Sequence, residues 1–212
     1  MKDIAIYGCG GFGREVACLI ERINESEPQW NFIGFYDDGH EKGFMTDMGP
    51  VIGNADDLNA VDKPLAIAIA IGSPKTVKAV REKIVNKNIE FPNLIDPSTV
   101  FLKRELVKIG EGNIICQNTV LSVNITIGDF NVLNFCSSVG HDVVFGKYNV
   151  VMPGVRISGG TQMENQNFFG AQSVVLQGVK IGNEVRLAAS SLLTRKTKDK
   201  TLYIGVPARK MM

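Results

Sequence analysis

The 212-residue chain carries 23 Lys and Arg against 22 Asp and Glu, a formal net charge of +1, with 44% hydrophobic and 21% charged residues. This balance gives no electrostatic reason to expect nucleic acid or a membrane surface as partner, and the longest strongly apolar run, Pro64 to Ile71, is far short of the ~20 residues of a membrane span. The N-terminus meets glycines by Gly8 and has no signal-peptide pattern. The four cysteines, Cys9, Cys18, Cys116 and Cys136, form no CxxC pair, so free thiols in a reducing cytoplasm are expected, with neither a disulfide framework nor a metal site.

Residues 1–93 alternate strand and helix patterns. Ile4–Tyr7 reads as a strand, followed by glycines and an amphipathic stretch from Arg14 to Ile23; Phe32–Tyr36 reads as a second strand ending at Asp37-Asp38. Leu65–Ile71 is a third, followed by Gly72-Ser73-Pro74 and a helix from Lys75 to Asn86, and Phe91–Ile95 is expected to add one more strand. The order predicts a Rossmann-like α/β domain with a parallel sheet and its loops at the carboxyl ends of the strands.

Gly8-Cys9-Gly10-Gly11-Phe12-Gly13 satisfies GxGxxG between a strand and a helix, where glycine lets the backbone approach a phosphate and a helix N-terminus favours its charge. Asp37 or Asp38 is placed to accept hydrogen bonds from a ribose or base, and Gly72 and Ser73 border the same crevice. The motif alone suggests NAD. A first domain of about 93 residues is short for a complete dinucleotide fold, however, and a mononucleotide sugar is the better ligand.

Residues 94–212 carry a repeat. Taken every sixth residue from Ile109, the positions Ile115, Leu121, Ile127, Leu133, Val139, Phe145, Val151, Ile157, Met163, Phe169, Val175, Ile181, Leu187 and Leu193 are all large and apolar, a run that chance would give roughly once in 10⁴–10⁵ trials. Glycine follows these anchors at Gly110, Gly128, Gly140, Gly146, Gly170 and Gly182, read here as permitting a positive φ at the corner. Four after the anchor the residue is usually small or β-branched. A six-residue period fits a parallel β-helix in which three hexapeptides make an eighteen-residue coil, giving five coils; it does not fix the hand. Leu94 and Val100 are also six apart but out of phase with Ile109 by three residues, which calls for a short insertion.

His141 is the only histidine in the repeat half. It lies two residues after an anchor, where a side chain can project from the prism, and an imidazole suits removal of a proton from an attacking amine or hydroxyl near neutral pH. A metal hydratase of carbonic-anhydrase type would need three histidines on neighbouring coils. Arg195, Lys196, Lys198, Lys200, Arg209 and Lys210 give the C-terminal segment a basic balance against Asp199, open to reading as a phosphate-binding segment or as a solvated tail.

The opening Ile-Tyr-Gly-Cys-Gly-Gly-Phe-Gly-Arg-Glu-Val, the Asp37-Asp38 pair, Leu94-Ile-Asp-Pro-Ser98, the hexapeptides, Val139-Gly-His-Asp142 and the closing Ile204-Gly-Val-Pro-Ala-Arg-Lys-Met211 together resemble, end to end, the left-handed β-helix acyltransferases of the NeuD/PglD type. The resemblance implies a trimeric enzyme with sites between subunits, acetyl-CoA as acyl donor and a nucleotide-linked amino sugar as acceptor; O-acetylation of a sugar or sialic acid by the same machinery, or a non-catalytic oligomeric scaffold, are the alternatives. It also implies His141 as general base, Asp142 as its orienting acid, Asn134 near the reacting centre, and Gly159, Gly170 and Ala171 against the pantetheine arm. Three positions depart from the family pattern: Phe12 stands where relatives often have histidine, Val150 where they can carry a second histidine, and Ala188-Ala189 where they have glycines.

Overall fold

The computed structural model describes residues 1–211, which divide into two compact units, Met1–Pro97 and the described residues from Ser98 on. The division falls four residues beyond the 93/94 boundary expected from the sequence, and Asp96 is one residue of that stretch tied to the first unit. There the Asp96 carboxylate, 1% exposed, accepts two hydrogen bonds from the Arg22 guanidinium at 2.7 and 3.1 Å.

The first unit is an α/β layer structure of β1 (Lys2–Tyr7), α1 (Gly11–Ser26), β2 (Trp30–Tyr36), β3 (Met45–Thr46), β4 (Gly49–Gly53), α2 (Ala55–Asn59), β5 (Leu65–Ile69), α3 (Pro74–Lys83) and β6 (Ile89–Glu90). The sheet order is β3-β4-β2-β1-β5-β6, parallel throughout except for the β3–β4 hairpin. All five residues of β5 are buried, as expected of a parallel strand covered on both faces. Helix α1 turns Val16, Leu19, Ile20 and Ile23 inward at helical spacing. Strands β3 and β4 and helix α2 have no periodicity long enough to read. The expected strand over 91–95 is replaced by β6 and a separate Leu94–Ile95 pair, and α3 begins at Pro74 because Ser73 caps it, accepting from Thr76 N–H at 3.4 Å. The chain builds outward from β1 through β2 to β4, then returns to the other side of β1 with β5. This sets a topological switch at the carboxyl ends of β1 and β5, where the Gly8–Gly13 and Ala70–Ser73 loops meet.

The second unit is a triangular parallel β-helix. One face stacks Ile114–Ile115, Val132–Leu133, Val150–Val151, Phe168–Phe169 and Arg186–Leu187; the next stacks Val120–Leu121, Ser138–Val139, Arg156–Ile157, Val174–Val175 and Leu192–Leu193; the third stacks Ile125–Ile127, Val144–Phe145, Gln162–Met163 and Lys180–Ile181. Every pair is parallel and in register with the residue eighteen positions on, Leu133 with Val151 and Phe145 with Met163 for instance. From Ile115 to Leu193 every anchor is buried; Ile109, at the start, is only partly so.

Two expectations are corrected here. The left-handed backbone falls three residues after the anchor, not one: Asn118, Asn124, Phe130, Cys136, Asp142, Tyr148, Gly154, Gly160, Gln166, Gln172, Gly178, Glu184 and Ser190 have φ between 54° and 70°. The glycines beside the anchors have ordinary φ and serve close stacking instead. A Cβ on Gly140 would meet Gly159 N at 2.5 Å, and one on Gly128 would meet Gly146 O at 2.5 Å. The phase shift near 100 is also smaller than expected, since Phe101, not Val100, pairs with the anchor Leu121; the extra residues form the 3₁₀ turn Arg104–Leu106.

A buried polar column runs through the prism. Asn113, Asn131, Asn149 and Asn167 occupy the fourth position after the anchor on successive coils, each 0% exposed. Each side-chain oxygen accepts from the backbone of the next coil: Asn113 Oδ1 from Asn131 N–H, Asn131 Oδ1 from Asn149 N–H and Asn149 Oδ1 from Asn167 N–H, all at 2.9 Å, and Asn167 Oδ1 from Val185 N–H at 2.8 Å. The C-terminal segment is no loose tail: Leu202–Gly205 adds to the first face, pairs with Ala208–Lys210 across a cis Val206–Pro207 bond, and closes that end.

Candidate functional site

In the first unit, the glycines of the β1–α1 loop divide by role. Gly8 has φ 106° and lies against the β5 loop, where a Cβ would meet Ala70 O at 2.9 Å; a Cβ on Gly13 would collide with Gly8 O. These two are required by the turn and by helix–strand packing. Gly10 and Gly11 have nothing within 4 Å of where a Cβ would stand and are exposed, so they form the open rim at the N-terminus of α1. That first turn has no acidic residue and Gly10 offers no side-chain cap, which leaves the terminus electrostatically suited to an anion. Phe12 is half-buried. Gly72 is exposed and unobstructed, whereas the Ser73 hydroxyl is occupied as the α3 cap.

The two aspartates after β2 are chiefly internal acceptors. Asp37 Oδ2 accepts from Cys9 N–H at 2.9 Å and Oδ1 from Gly39 N–H at 2.8 Å. Burial pushes its carboxyl up, but these donors, with His40 and the Cys9 thiol, outweigh burial and hold it below the ordinary range. Asp38 Oδ1 accepts from the Tyr7 hydroxyl at 2.6 Å and Ala55 N–H at 3.1 Å, and Oδ2 pairs with Lys83 Nζ at 2.9 Å. Burial again opposes, and the same three donors again win, so Asp38 too titrates low. Tyr7, buried beside that carboxylate, is pushed well above the usual phenol value. Asp38 also lines an open pocket of about 470 Å³ with Asn54, Ala55, Asp56, Asn59 and Lys83. Tyr7, Lys83 and Asn54 were missed by the sequence reading, since only the sheet order brings them to Asp38.

In the β-helix, His141 follows strand Ser138–Val139 at the edge between the second and third faces. Its Nδ1 lies 2.8 Å from Asp142 Oδ2, and Asp142 Oδ1 accepts from Asn124 Nδ2 at 3.2 Å. Asn124 stands eighteen residues before Asp142, at the equivalent corner of the preceding coil, and both adopt the left-handed conformation. The hydrogen bonds from His141 and Asn124 hold the Asp142 carboxyl below its ordinary value. An ionised partner at Nδ1 selects the tautomer with its proton there, leaving the Nε2 lone pair as acceptor. Nε2 makes no hydrogen bond among the described residues, and the ring lies over Gly159 of the next coil, where a Cβ would come within 2.5 Å of Nε2. Gly159 therefore gives the imidazole its place.

Asn134, Gly170 and Ala171 do not share that edge. They follow strands Val132–Leu133 and Phe168–Phe169, at the edge between the first and second faces, one face-width from His141. Asn134 is 5% exposed and its side-chain oxygen accepts from Phe135 N–H at 2.8 Å, so it shapes its own corner. A Cβ on Gly170 would strike Ala189 N of the next coil, giving that glycine a packing role as well. Val150, 1% exposed, is a packing residue. The six basic residues of the C-terminal segment are exposed, with Lys200 paired to Glu184 at 3.6 Å.

A parallel α/β domain with an open glycine rim, ahead of a hexapeptide prism carrying an outward His–Asp dyad, is an arrangement suited to acyl transfer. Residues 3–87 match the PglD N-terminal domain family. The chain is 27% identical over 179 residues to a GDP-perosamine N-acetyltransferase of Escherichia coli O157:H7, covering 84% of this chain and 80% of that one. Among solved structures, WeeI from Acinetobacter baumannii AYE superposes with a TM-score of 0.87 at 27% identity over the full length of both chains. PerB from Caulobacter crescentus, solved in complex with CoA and GDP-perosamine, superposes with a TM-score of 0.87 at 24% identity over 100% of this chain and 98% of that one. The β-helix is accordingly left-handed, and the chain is similar over most of its length to a sugar N-acetyltransferase.

Proposed function

We propose that the protein transfers the acetyl group of acetyl-CoA to the amino group of a nucleotide-linked sugar, with His141 as general base. The observation that carries this reading is the His141–Asp142 pair at the prism edge, with Nδ1 held and Nε2 open. The sugar amine attacks the thioester carbonyl, the new C–N bond forms as the C–S bond breaks, and the CoA thiolate leaves. The surplus amine proton passes to His141 Nε2 and on to the thiolate, while Asp142 steadies the transient imidazolium. Gly10 and Gly11 receive the nucleotide phosphates, with Gly8, Phe12 and Gly13 shaping the loop, and Gly72 borders the crevice. Asp37 and Asp38 act mainly by fixing the loops, Asp38 retaining lone-pair capacity on Oδ2 toward the neighbouring pocket. Gly159, Gly170 and Ala171 flank the pantetheine arm. The relatives' names, and the CoA and GDP-perosamine bound to PerB, support this pairing of donor and acceptor.

The working unit of this reading is a homotrimer, supported by the separation of His141 from Asn134 and Ala171 on two edges of one prism: a neighbouring copy can bring the second edge to the first. Its place is the cytoplasm, supported by cysteines that form no disulfide among the described residues; no helix among the described residues is long and apolar enough to cross a membrane.

The test is thiol release from acetyl-CoA in the presence of nucleotide amino sugars. Turnover with amino but not hydroxy acceptors is expected. Turnover only with hydroxyl acceptors would make it an O-acetyltransferase, and none with any acceptor would leave a scaffold. His141→Ala should cost ~10²–10⁴ in kcat with acetyl-CoA binding retained. Gly10→Val, which meets no obstacle within the protein, should raise the acceptor KM and leave that of acetyl-CoA nearly unchanged.

A further inference from the structure

The fold brings together three side chains that the proposed chemistry does not use as a group. Cys9 lies in the β1–α1 loop; Asp37 and His40 lie in the segment leaving β2. Cys9 Sγ is 3.3 Å from His40 Nδ1, and the same nitrogen is 3.2 Å from Asp37 Oδ1; the three atoms lie within 4.8 Å of one another. One imidazole nitrogen thus faces two other heteroatoms. Without a metal, the imidazole N–H and the Cys9 thiol both direct their protons to the one Asp37 carboxylate.

A tetrahedral ion can take all three atoms as ligands in place of those protons. Zinc binds thiolate sulfur at about 2.3 Å and imidazole nitrogen or carboxylate oxygen at about 2.0–2.1 Å, which sets its ligand atoms about 3.3–3.6 Å apart. The observed 3.3 and 3.2 Å separations are close to those values. The supporting shell is also in place. Asp37 is fixed by the backbone N–H groups of Cys9 and Gly39, and the His40 ring packs on Phe44 with centroids 4.4 Å apart. The Cys9 side is buried and the His40 side is 41% exposed. His40 also borders an open pocket of about 350 Å³, which leaves an ion an approach from the His40 side.

We propose that Cys9 Sγ, His40 Nδ1 and Asp37 Oδ1 form a three-ligand site for a zinc-class divalent ion at the base of the glycine-rich loop. Binding is an exchange without redox change: the S–H bond breaks, its proton leaves to solvent, and the S–metal bond forms. The soft thiolate and the imidazole select zinc or cobalt over magnesium or calcium. The ion ties the loop after β1 to the segment after β2, so it stiffens the rim formed by Gly10 and Gly11. The site stands independently of the acetyltransferase reading, because its readout is metal uptake.

The experiment titrates the metal-stripped, reduced full-length chain with cobalt(II) and then displaces it with zinc. The expected result is one cobalt per chain, a sulfur-to-cobalt charge-transfer band in the near ultraviolet, and loss of that band on adding zinc. Cys9→Ser should abolish the band, and Cys9→Ser and His40→Ala should each weaken uptake by at least about tenfold. Cys18→Ser and Cys136→Ser, at exposed thiols elsewhere, should bind as the unaltered chain does. His40→Ala changes a half-exposed side chain, so it decides the matter even if Cys9→Ser fails to fold. Less than stoichiometric uptake without a sulfur band, or uptake unchanged in His40→Ala, overturns the proposal.

Discussion

Tyr7 shows how one residue couples the core of the first unit to its rim. Its ring is 2% exposed at the end of the central strand while its hydroxyl donates to Asp38, which in turn holds Lys83 and the α2 N-terminus through Ala55 N–H. Tyr7→Phe keeps the packing and removes the donor. Asp38 is 40% exposed, so solvent screens part of the effect, and a loss of about 1 kcal/mol is expected. The sign of the pH dependence follows from the depressed carboxyl. Its stabilisation is fully present above the ordinary carboxylate value of about 4 and is lost as pH falls through the lower folded value. The difference between Tyr7→Phe and the parent should therefore be constant near neutrality and shrink in acid. Urea melts across that range check it, and a gap that widened on acidification would contradict the assignment.

Among the elements, the hexapeptide edge is where sequence and structure diverge most. The periodic anchors set which side chains go inward, but the corner that turns the chain sits three residues later and accepts residues as large as Phe130 and Tyr148, at φ 55° and 60°. Their rings stack at 5.6 Å across adjacent coils, and each corner N–H is paired to the coil before, Tyr148 N to Asp129 O at 3.0 Å for example. These contacts offset a conformation that is unfavourable for bulky residues. The asparagine column serves the same end from inside, with each side-chain oxygen taking a backbone N–H of the next coil. Asn149→Ala should leave Asn167 N–H without its acceptor at a buried position and lower stability by about 2–4 kcal/mol. Lys180→Ala, on an exposed strand position of the same prism, should change it by less than about 0.5 kcal/mol. Equal urea midpoints for the two variants would show that the column is not needed.

At the scale of the whole molecule, the proposed function draws its site from more than one chain. His141 with Gly159 occupies one prism edge and Asn134 with Ala171 another, so a trimer should contain three sites each built from two subunits. Chains carrying His141→Ala and chains carrying Ala171→Trp should each be inactive alone. Co-assembled at equal ratio, they should recover about a quarter of the parent activity, since one site in four joins an intact edge to an intact edge. Light scattering should give three chains per particle. A monomer of full activity, or mixtures as inactive as their parents, would refute the shared site.

The sequence by itself determined the two-part organisation, the parallel α/β character of the first part, the β-helix of the second and the outward position of His141. Each follows from local periodicity or from a residue's offset to an anchor, and a regular coil converts a six-residue count directly into position in space. What the tertiary structure alone decided is which side chains meet, whether or not their separation carries the period. Asn124 supports Asp142 because stacking repeats every eighteen residues, and Gly159 lies under His141 for the same reason. Gly8 and Gly13 proved to be packing glycines while Gly10 and Gly11 stayed open, a distinction set by the β5 loop against Gly8 and by the Gly8 carbonyl against Gly13. The meeting of Cys9 with His40, and of Tyr7 with Asp38 and Lys83, depends on which strands lie side by side. Sheet order is a property of the packed core, where burying both faces of β1 and β5 outweighs any local preference, and no short motif records it.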